Sequence, residues 1–110
     1  MKKVIRPWGN FKEFAKNKKC TVKILEIKPG QAFSLQYHNK REENWYFLES
    51  GTAIVGDKKI KFKEGDIIRV SRKTKHRIIA GKKRVRVLEV SYGDFDENDI
   101  VRLEDKYGRK

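Results

Sequence analysis

The chain has 110 residues, which is the length of a single domain with one core. Apolar residues make up 37% of it and aromatic residues 11%, a composition that argues against disorder. No apolar run approaches the roughly 18 residues of a membrane span, and the N terminus lacks the apolar segment of a secretion signal. The length and the lack of a long apolar run lead us to expect one domain over residues 1–110 and no membrane partner. The single cysteine, Cys20, can form no internal disulfide, which agrees with a location in the cytoplasm.

The formal net charge of +13 is a value found among nucleic-acid-binding proteins. The lysines and arginines are nevertheless scattered along the whole chain, and no DNA- or RNA-binding motif frames them. We therefore expect a solvated basic surface with a general attraction for anions, and no specific nucleic-acid partner.

Short apolar runs separated by turn residues recur about every ten residues, a spacing typical of an all-β sandwich or barrel. The predicted strands are Val22–Ile27, Phe33–His38, Trp45–Leu48, Thr52–Val55, Ile60–Phe62, Ile67–Val70, Arg77–Ile79 and Arg84–Val90. Gly56-Asp57 predicts a tight hairpin between two of them. No segment of about 12 residues keeps a 3.6-residue period, so little helix is expected. The strand aromatics, Trp45 and Phe47 among them, are expected in the core.

Two segments fall outside this pattern. Asn10–Lys19 is polar, with Phe11 and Phe14 three residues apart, and fits either the leading edge of a strand pair or one helical turn. Asp96–Asp105 fits either a short helix or a strand that runs back across the barrel.

The strand that ends at His38 has two different faces. Alternation places Ser34, Gln36 and His38 on one face and Leu35 and Tyr37 on the other. The polar face suits either a solvent-exposed strand or one that points into a cavity.

The chain contains two histidines, His38 and His76, and each lies at the edge of a predicted strand. Glu43 follows the first of them by five residues. If these side chains converge with the amide oxygen of Gln36, they form a mixed nitrogen and oxygen site suited to a divalent metal.

The order of these residues resembles the two motifs of the cupin superfamily. The first motif is matched in order by Gly30, Gln36, His38, Glu43 and Gly51, with glutamine in place of the first histidine. The second is matched by Gly65 and His76, with Ser71 and Lys73 where the motif has proline and glycine. The resemblance implies an all-β fold, a double-stranded β-helix or jelly-roll-like barrel.

A narrower resemblance covers almost the whole chain. The segments that carry it are Arg6–Gly9, Pro29-Gly30, Ser34–His38, Arg41 with Glu43 and Trp45, Ser50–Ala53, His76-Arg77, Leu88–Val90, Gly93, Asn98–Arg102, Glu104-Asp105 and Tyr107–Arg109. In this order they resemble the type II mannose-6-phosphate isomerase domain, which usually ends bifunctional mannose-1-phosphate guanylyltransferase/isomerase proteins. The domain is expected to stand alone here, with a separately encoded guanylyltransferase as a candidate partner and a second copy as a homodimer partner.

This resemblance implies a metal-dependent isomerase that interconverts mannose 6-phosphate and fructose 6-phosphate through an enediolate. The implied metal ligands are Gln36, His38, Glu43 and His76. The metal would be zinc first, with manganese, iron, nickel or cobalt as alternatives. It would polarise the sugar oxygens while a base moves a proton between C2 and C1. The candidates for that base are Glu43, Glu89, Tyr37 and Lys75.

Phosphate binding requires cations, and guanidinium groups bind phosphate in a bidentate manner. The candidates for substrate binding are Arg41, Arg102, Tyr107 and Arg109, with Lys75 as a further cation.

Position 44 departs from the family pattern, because Glu43-Asn44-Trp45 stands where the family commonly has Glu-His-Trp. The departure keeps a second hypothesis open, in which a metal-binding cupin binds a sugar, a nucleotide sugar or another anion without turnover.

Overall fold

Eleven β-strands form the secondary structure of the computed structural model, which describes residues 1–110. In chain order they are β1 (Lys2–Arg6), β2 (Gly9–Glu13), β3 (Cys20–Ile27), β4 (Leu35–Tyr37), β5 (Glu43–Phe47), β6 (Gly51–Val55), β7 (Lys58–Phe62), β8 (Ile67–Val70), β9 (His76–Ile79), β10 (Val85–Tyr92) and β11 (Val101–Glu104). The structure has no helix of the length and hydropathy that a membrane crossing requires.

Two antiparallel sheets enclose the core. One has the strand order β3-β10-β5-β8 and the other β11-β4-β9-β6-β7, so most neighbours in a sheet are distant in sequence. The strands β1 and β2 pair only with each other. The prediction of an all-β barrel with little helix is therefore confirmed.

The alternation of β5 determines what faces the interior. It points Glu43, Trp45 and Phe47 inward, and all three are almost fully buried. Their partners across the pair with β10 are, in the same order, Ser91, Glu89 and Val87. The interior is consequently apolar at one end of these strands and polar at the other.

The apolar end is closely packed. The rings of Phe47 and Phe62 stack with centroids 3.6 Å apart. A Cβ atom on Gly51 would lie 2.7 Å from Cζ of Phe62 and 2.8 Å from Cγ2 of Val85, so only glycine fits at that position. The expectation that Trp45 and Phe47 lie in the core is confirmed, since neither is exposed.

All eight predicted strands are present, with ends shifted by about two residues or less. The predicted hairpin is also confirmed, because Val55 pairs with Lys58 across a two-residue turn. Gly56 has a φ of 59° there, which is the left-handed conformation that this kind of turn requires at its first central position.

Both undecided segments contain strands. Residues 10–13 belong to β2, and Val101–Glu104 form β11, which pairs with β4 as a strand running back across the barrel. The strand β1 was not predicted. It forms a hairpin with β2, and most residues of both strands are exposed, so neither strand shows the alternation that marks a half-buried strand.

Candidate metal centre and substrate cavity

Both sheets contribute side chains to one buried cluster. Glu43 begins β5 in one sheet, whereas His38 follows β4 and His76 begins β9 in the other. One ligating atom from each of the three lies within 4.8 Å of the others. Oε1 of Glu43 is 3.8 Å from Nε2 of His38 and 3.7 Å from Nε2 of His76.

Backbone carbonyls orient the two imidazole rings. Nδ1 of His38 donates to the carbonyl of Asp99 at 2.6 Å, and Nδ1 of His76 donates to the carbonyl of Thr74 at 2.9 Å. A carbonyl only accepts, so each Nδ1 carries the proton and each Nε2 presents a lone pair. Burial is the main cause that lowers the pKa of His38 and of His76, which favours the neutral, ligating form.

The carboxylate of Glu43 has one satisfied and one unsatisfied oxygen. Oε2 accepts hydrogen bonds from the hydroxyl of Ser91 at 2.8 Å and from Nε of Arg41 at 3.4 Å. Oε1 is buried without a hydrogen-bond partner, a costly arrangement for a carboxylate. Because this oxygen and the two imidazole lone pairs converge, the residues fit a divalent cation.

Gln36 lies beside this cluster. It is paired with His76 across β4 and β9, and its side-chain oxygen accepts a hydrogen bond from the hydroxyl of Ser34. Ser34 and His38 are both buried. The polar face of the strand therefore points into the barrel, which decides between the two orientations that the sequence left open.

A cavity of about 800 Å³ leads to this cluster and is lined by Gln36 and His38. Its wall also contains the four predicted substrate-binding residues, which are Arg41, Arg102, Tyr107 and Arg109. Nε of Arg102 is buried and has no hydrogen-bond partner. The guanidinium of Arg109 is paired with Asp105 at 2.7 Å. The C-terminal tail thus folds back onto the cavity.

Arg41 lies deeper in the cavity than a phosphate-binding residue at the rim would. It is buried, and its Nη2 donates to Nε2 of His38 at 3.3 Å. Its Nη1 donates to the carbonyl of Asp96 at 3.2 Å, and its guanidinium carbon lies 4.2 Å from the ring centroid of Phe95. The side chain is therefore next to the predicted metal ligands.

Glu89 also lines the cavity and is buried. Its Oε2 accepts a hydrogen bond from Nε1 of Trp45 at 3.3 Å. Burial, followed by the charge of Glu43, raises the pKa of Glu89 to about 7. Among the four proposed bases, this residue combines burial with a place on the cavity wall.

The structure does not bring two of the predicted catalytic residues to the cavity. The ammonium of Lys75 pairs with Asp57 in the β6–β7 hairpin at 3.3 Å, on the outer surface. Tyr37 lies on the face of β4 opposite Gln36 and is absent from the cavity wall. Tyr37 is adjacent to Gln36 and Lys75 is adjacent to His76. Because neighbouring side chains of an extended chain point to opposite faces, the inward direction of Gln36 and His76 directs Tyr37 and Lys75 outward.

One known protein family matches nearly the whole chain. Residues 1–105 match the family described as "Mannose-6-phosphate isomerase C-terminal". The chain belongs to this family. The match spans both predicted cupin motifs and part of the tail, so the resemblance derived from the sequence is confirmed.

The family members with similar sequences are longer proteins. The chain is 38% identical over 112 residues to the xanthan biosynthesis protein XanB of Xanthomonas campestris, covering 98% of this chain and 24% of that protein. It is 32% identical over 111 residues to a mannose-1-phosphate guanylyltransferase of Klebsiella pneumoniae, covering 98% and 24%. The chain thus spans about a quarter of the length of these curated relatives.

Solved structures support the cupin fold. A cupin 2 conserved barrel domain protein from Rhodopseudomonas palustris superposes with a TM-score of 0.67 at 21% sequence identity. The superposition covers 79% of this chain and 66% of that one. At this level of identity the similarity establishes the barrel architecture and nothing beyond it.

Several cavity residues were not predicted from the sequence. Lys23 and Lys28 line the cavity from β3 and from the end of that strand, and Phe95 lines it from the β10–β11 connection. Alternation with the buried Ile27 could have placed Lys23 on the inner face, because the two residues are four apart in one strand. No local pattern marks Phe95, which reaches the cavity through a long connection.

Proposed function

We propose that this chain is a metal-dependent isomerase that interconverts mannose 6-phosphate and fructose 6-phosphate through an enediolate. One observation carries the proposal: two imidazole lone pairs and an unpaired carboxylate oxygen converge at the buried end of a cavity lined with arginines. Membership in a family described by mannose-6-phosphate isomerase supports the substrate class.

Gln36, His38, Glu43 and His76 are the side chains that would hold the metal. Their nitrogen and oxygen donors suit zinc first, with manganese, iron, nickel or cobalt as alternatives. A metal bound there would polarise the oxygens of the open-chain sugar and lower the free energy of the enediolate.

Glu89 is our candidate for the base that moves the proton between C2 and C1. Its carboxylate lies on the cavity wall, and Nε1 of Trp45 holds one of its oxygens in place. Glu43 is less suited, because Ser91 and Arg41 occupy one of its oxygens and the other faces the imidazoles. Neither Lys75 nor Tyr37 lines the cavity.

The cationic side chains of the cavity would bind different parts of the substrate. Arg41 lies next to His38 and would contact the oxygens at the reacting end of the sugar. Arg102 and Arg109, together with Tyr107, would bind the phosphate farther out. The unpartnered Nε of Arg102 is a donor that an anionic oxygen would satisfy.

A proton NMR time course of the metal-loaded protein with mannose 6-phosphate in deuterated buffer tests the proposal. We expect fructose 6-phosphate to form in the wild type and in a Lys75→Ala control, and to be absent in His38→Ala. Ligand binding without conversion, with each of the candidate metals, would instead support a binding module that takes a sugar, a nucleotide sugar or another anion.

Asn44, whose departure from the family pattern keeps the hypothesis of a binding module open, does not line the cavity. Nδ2 of Asn44 donates to the hydroxyl of Tyr92 at 2.8 Å, and that hydroxyl donates to the carbonyl of Phe14 at 2.7 Å. Through Tyr92, Asn44 thus holds the chain near Phe14 against the outer face of the sheet. Because these contacts are structural and lie outside the cavity, we expect the protein to catalyse isomerisation with asparagine at position 44.

We further propose that the chain forms a homodimer and works with a guanylyltransferase. The relatives that it matches include guanylyltransferases and are about four times longer, which supports the second partner. For the dimer, the supporting observation is that β3 pairs with β10 on one side only, so its other edge is free. Val22 and Ile24 on this edge strand are 56% and 65% exposed.

A further inference from the structure

The connection between β10 and β11, which we call the strap (residues 93–100), passes next to the ligand cluster. Phe95, Glu97 and Ile100 of the strap line the cavity. At its beginning, the backbone N–H of Gly93 donates to the carbonyl of Lys19 at 2.9 Å. The strap is thereby anchored to the chain just before β3, and the rest of it continues towards His38.

Asp99 makes three contacts with the segment that begins at His38. Its carbonyl accepts the hydrogen bond from Nδ1 of His38 at 2.6 Å. Its carboxylate accepts hydrogen bonds from the backbone N–H groups of Asn39 at 2.9 Å and of Lys40 at 3.0 Å, one on each oxygen. One strap residue therefore binds both the ring of a predicted metal ligand and the backbone that follows it.

We propose that Asp99 is the positioning residue of this metal centre: its carboxylate fastens the backbone after His38 to the strap and so holds the Asp99 carbonyl on Nδ1 of that ring. A carboxylate suits this task because it has two acceptor oxygens and no donor, which matches two consecutive N–H groups. The carbonyl in turn keeps the proton on Nδ1, so that Nε2 presents its lone pair to Nη2 of Arg41 at 3.3 Å and lies 3.8 Å from Oε1 of Glu43. This inference rests on the proposed metal-dependent function.

His76 provides an internal reference, because a different element orients it. Its Nδ1 donates to the carbonyl of Thr74, which lies two residues earlier in the loop before β9. No strap residue takes part in that hydrogen bond. Loss of the Asp99 carboxylate should therefore change the His38 ring and leave the His76 ring as it is.

The tautomers of the metal-free protein give the first test. Long-range proton–nitrogen NMR of protein labelled at the histidine nitrogens, at a pH well above the ordinary histidine pKa of about 6.5, reports which nitrogen of each ring is protonated. We expect Nδ1–H for both rings in the wild type. In Asp99→Ala we expect some Nε2–H tautomer to appear for His38 alone, as a minor form because Nη2 of Arg41 still donates to Nε2. Asp94→Ala is the matched control, because Asp94 lies in the same strap but its carboxylate pairs only with Lys19.

Cobalt binding, followed by the visible absorption of the ion, gives the second test. Loss of a group that orients a ligating histidine costs about 10- to 100-fold in metal affinity, so we expect about tenfold weaker binding for Asp99→Ala. Asp94→Ala should bind as the wild type does. Asp99→Asn should lie between, because its amide keeps one acceptor oxygen and places a donor opposite the other N–H.

Two results would overturn the inference: wild-type tautomers and affinity in Asp99→Ala, or an equal change at His76, which would mean general loosening. If Asp99→Ala does not fold, the comparison of Asp99→Asn with Asp94→Asn decides by the same two measurements. If the wild type binds no cobalt, zinc or other candidate metal, the proposed function fails, while the tautomers still decide what Asp99 does.

Discussion

Two buried carboxylates, Glu43 in the ligand cluster and Glu89 on the cavity wall, have different partners, which indicates different roles. Glu43 accepts hydrogen bonds from Ser91 and Arg41 on one oxygen and faces both imidazoles with the other. Glu89 has the indole N–H of Trp45 as its partner, and burial together with the charge of Glu43 raises its pKa to about 7. Different environments of neighbouring carboxyl groups are a common basis for separate catalytic assignments. Here they favour Glu43 as a ligand and Glu89 as a base.

This assignment predicts that Glu89→Gln abolishes proton transfer and leaves binding intact. The substitution keeps the size of the side chain and an acceptor oxygen for Trp45, but an amide cannot accept the proton. We expect kcat to fall at least about 100-fold, with metal affinity and KM close to those of the wild type. Steady-state kinetics and a cobalt titration measure these quantities.

Glu97→Gln is the matched control for that prediction. Glu97 also lines the cavity, but it is exposed and pairs with Lys23 at 3.2 Å. Its loss should change kcat by no more than a few fold. Activity of Glu89→Gln within the same range would show that another group moves the proton.

The residues that could be predicted are those whose position follows from a local pattern. Alternation along a single strand relates Gln36 to His38, and the spacing of the cupin motifs adds Glu43 and His76. The contacts of Asp99 could not be predicted in this way. It lies 61 residues after His38, and only the path of the strap brings the two together.

At the scale of elements, β11 and the tail after it complete the cavity. The strand β11 places Arg102 opposite Gln36, and the tail then reaches back to the connection between β3 and β4. There the hydroxyl of Tyr107 donates to Gln31, whereas Arg109 pairs with Asp105 within the tail itself. These contacts are at the surface, so the tail adds to the cavity rim and little to the core.

Removal of residues 107–110 should therefore weaken substrate binding without unfolding the protein. We expect KM for the sugar phosphate to rise about tenfold with a small change in kcat, because the deletion removes one guanidinium and one hydroxyl from the cavity wall. The far-ultraviolet circular dichroism and the midpoint of thermal unfolding should stay close to those of the full chain.

Deletion of Lys110 alone is the control, since this residue does not line the cavity. A truncated protein that keeps the KM of the full chain would rule out a role of the tail in phosphate binding.

Strand prediction succeeded wherever one face of the strand is buried. The strands β3 and β5 to β10 contribute residues to the core and show recurrent apolar residues, which turn residues separate. The hairpin of β1 and β2 has no such face, because Ile5, Trp8 and Phe11 are 68%, 73% and 39% exposed. A sequence pattern that depends on burial cannot identify a strand whose residues are not buried in the single chain.

For the molecule as a whole, part of the net charge of +13 comes from basic residues that line the cavity. The cavity wall carries more cations than carboxylates, namely Lys23, Lys28, Arg41, Arg102 and Arg109 against Glu26, Glu89 and Glu97. A cavity with an excess of one sign of charge attracts oppositely charged ligands and raises their rate of association. The basic surface thus suits a phosphorylated sugar and requires no nucleic acid as an explanation.

The exposed apolar residues of β1 to β3 lead to the last prediction, which concerns assembly. A free strand edge and exposed side chains such as Val22 and Ile24 are stabilised when a second copy covers them. Light scattering coupled to gel filtration should therefore give twice the 13.0 kDa of one chain. Salt should favour the dimer, because screening weakens the repulsion between two chains that each carry +13.

Ile24→Lys tests which surface forms the dimer. The substitution puts a charge on the exposed face of β3, where it costs little in the single chain but would be buried between two copies. We expect this variant to be a folded monomer at concentrations where the wild type is a dimer. The control is Lys59→Ala on β7, an edge strand of the other sheet, which should leave the dimer unchanged. A wild type that elutes as a monomer at every salt concentration would exclude the homodimer.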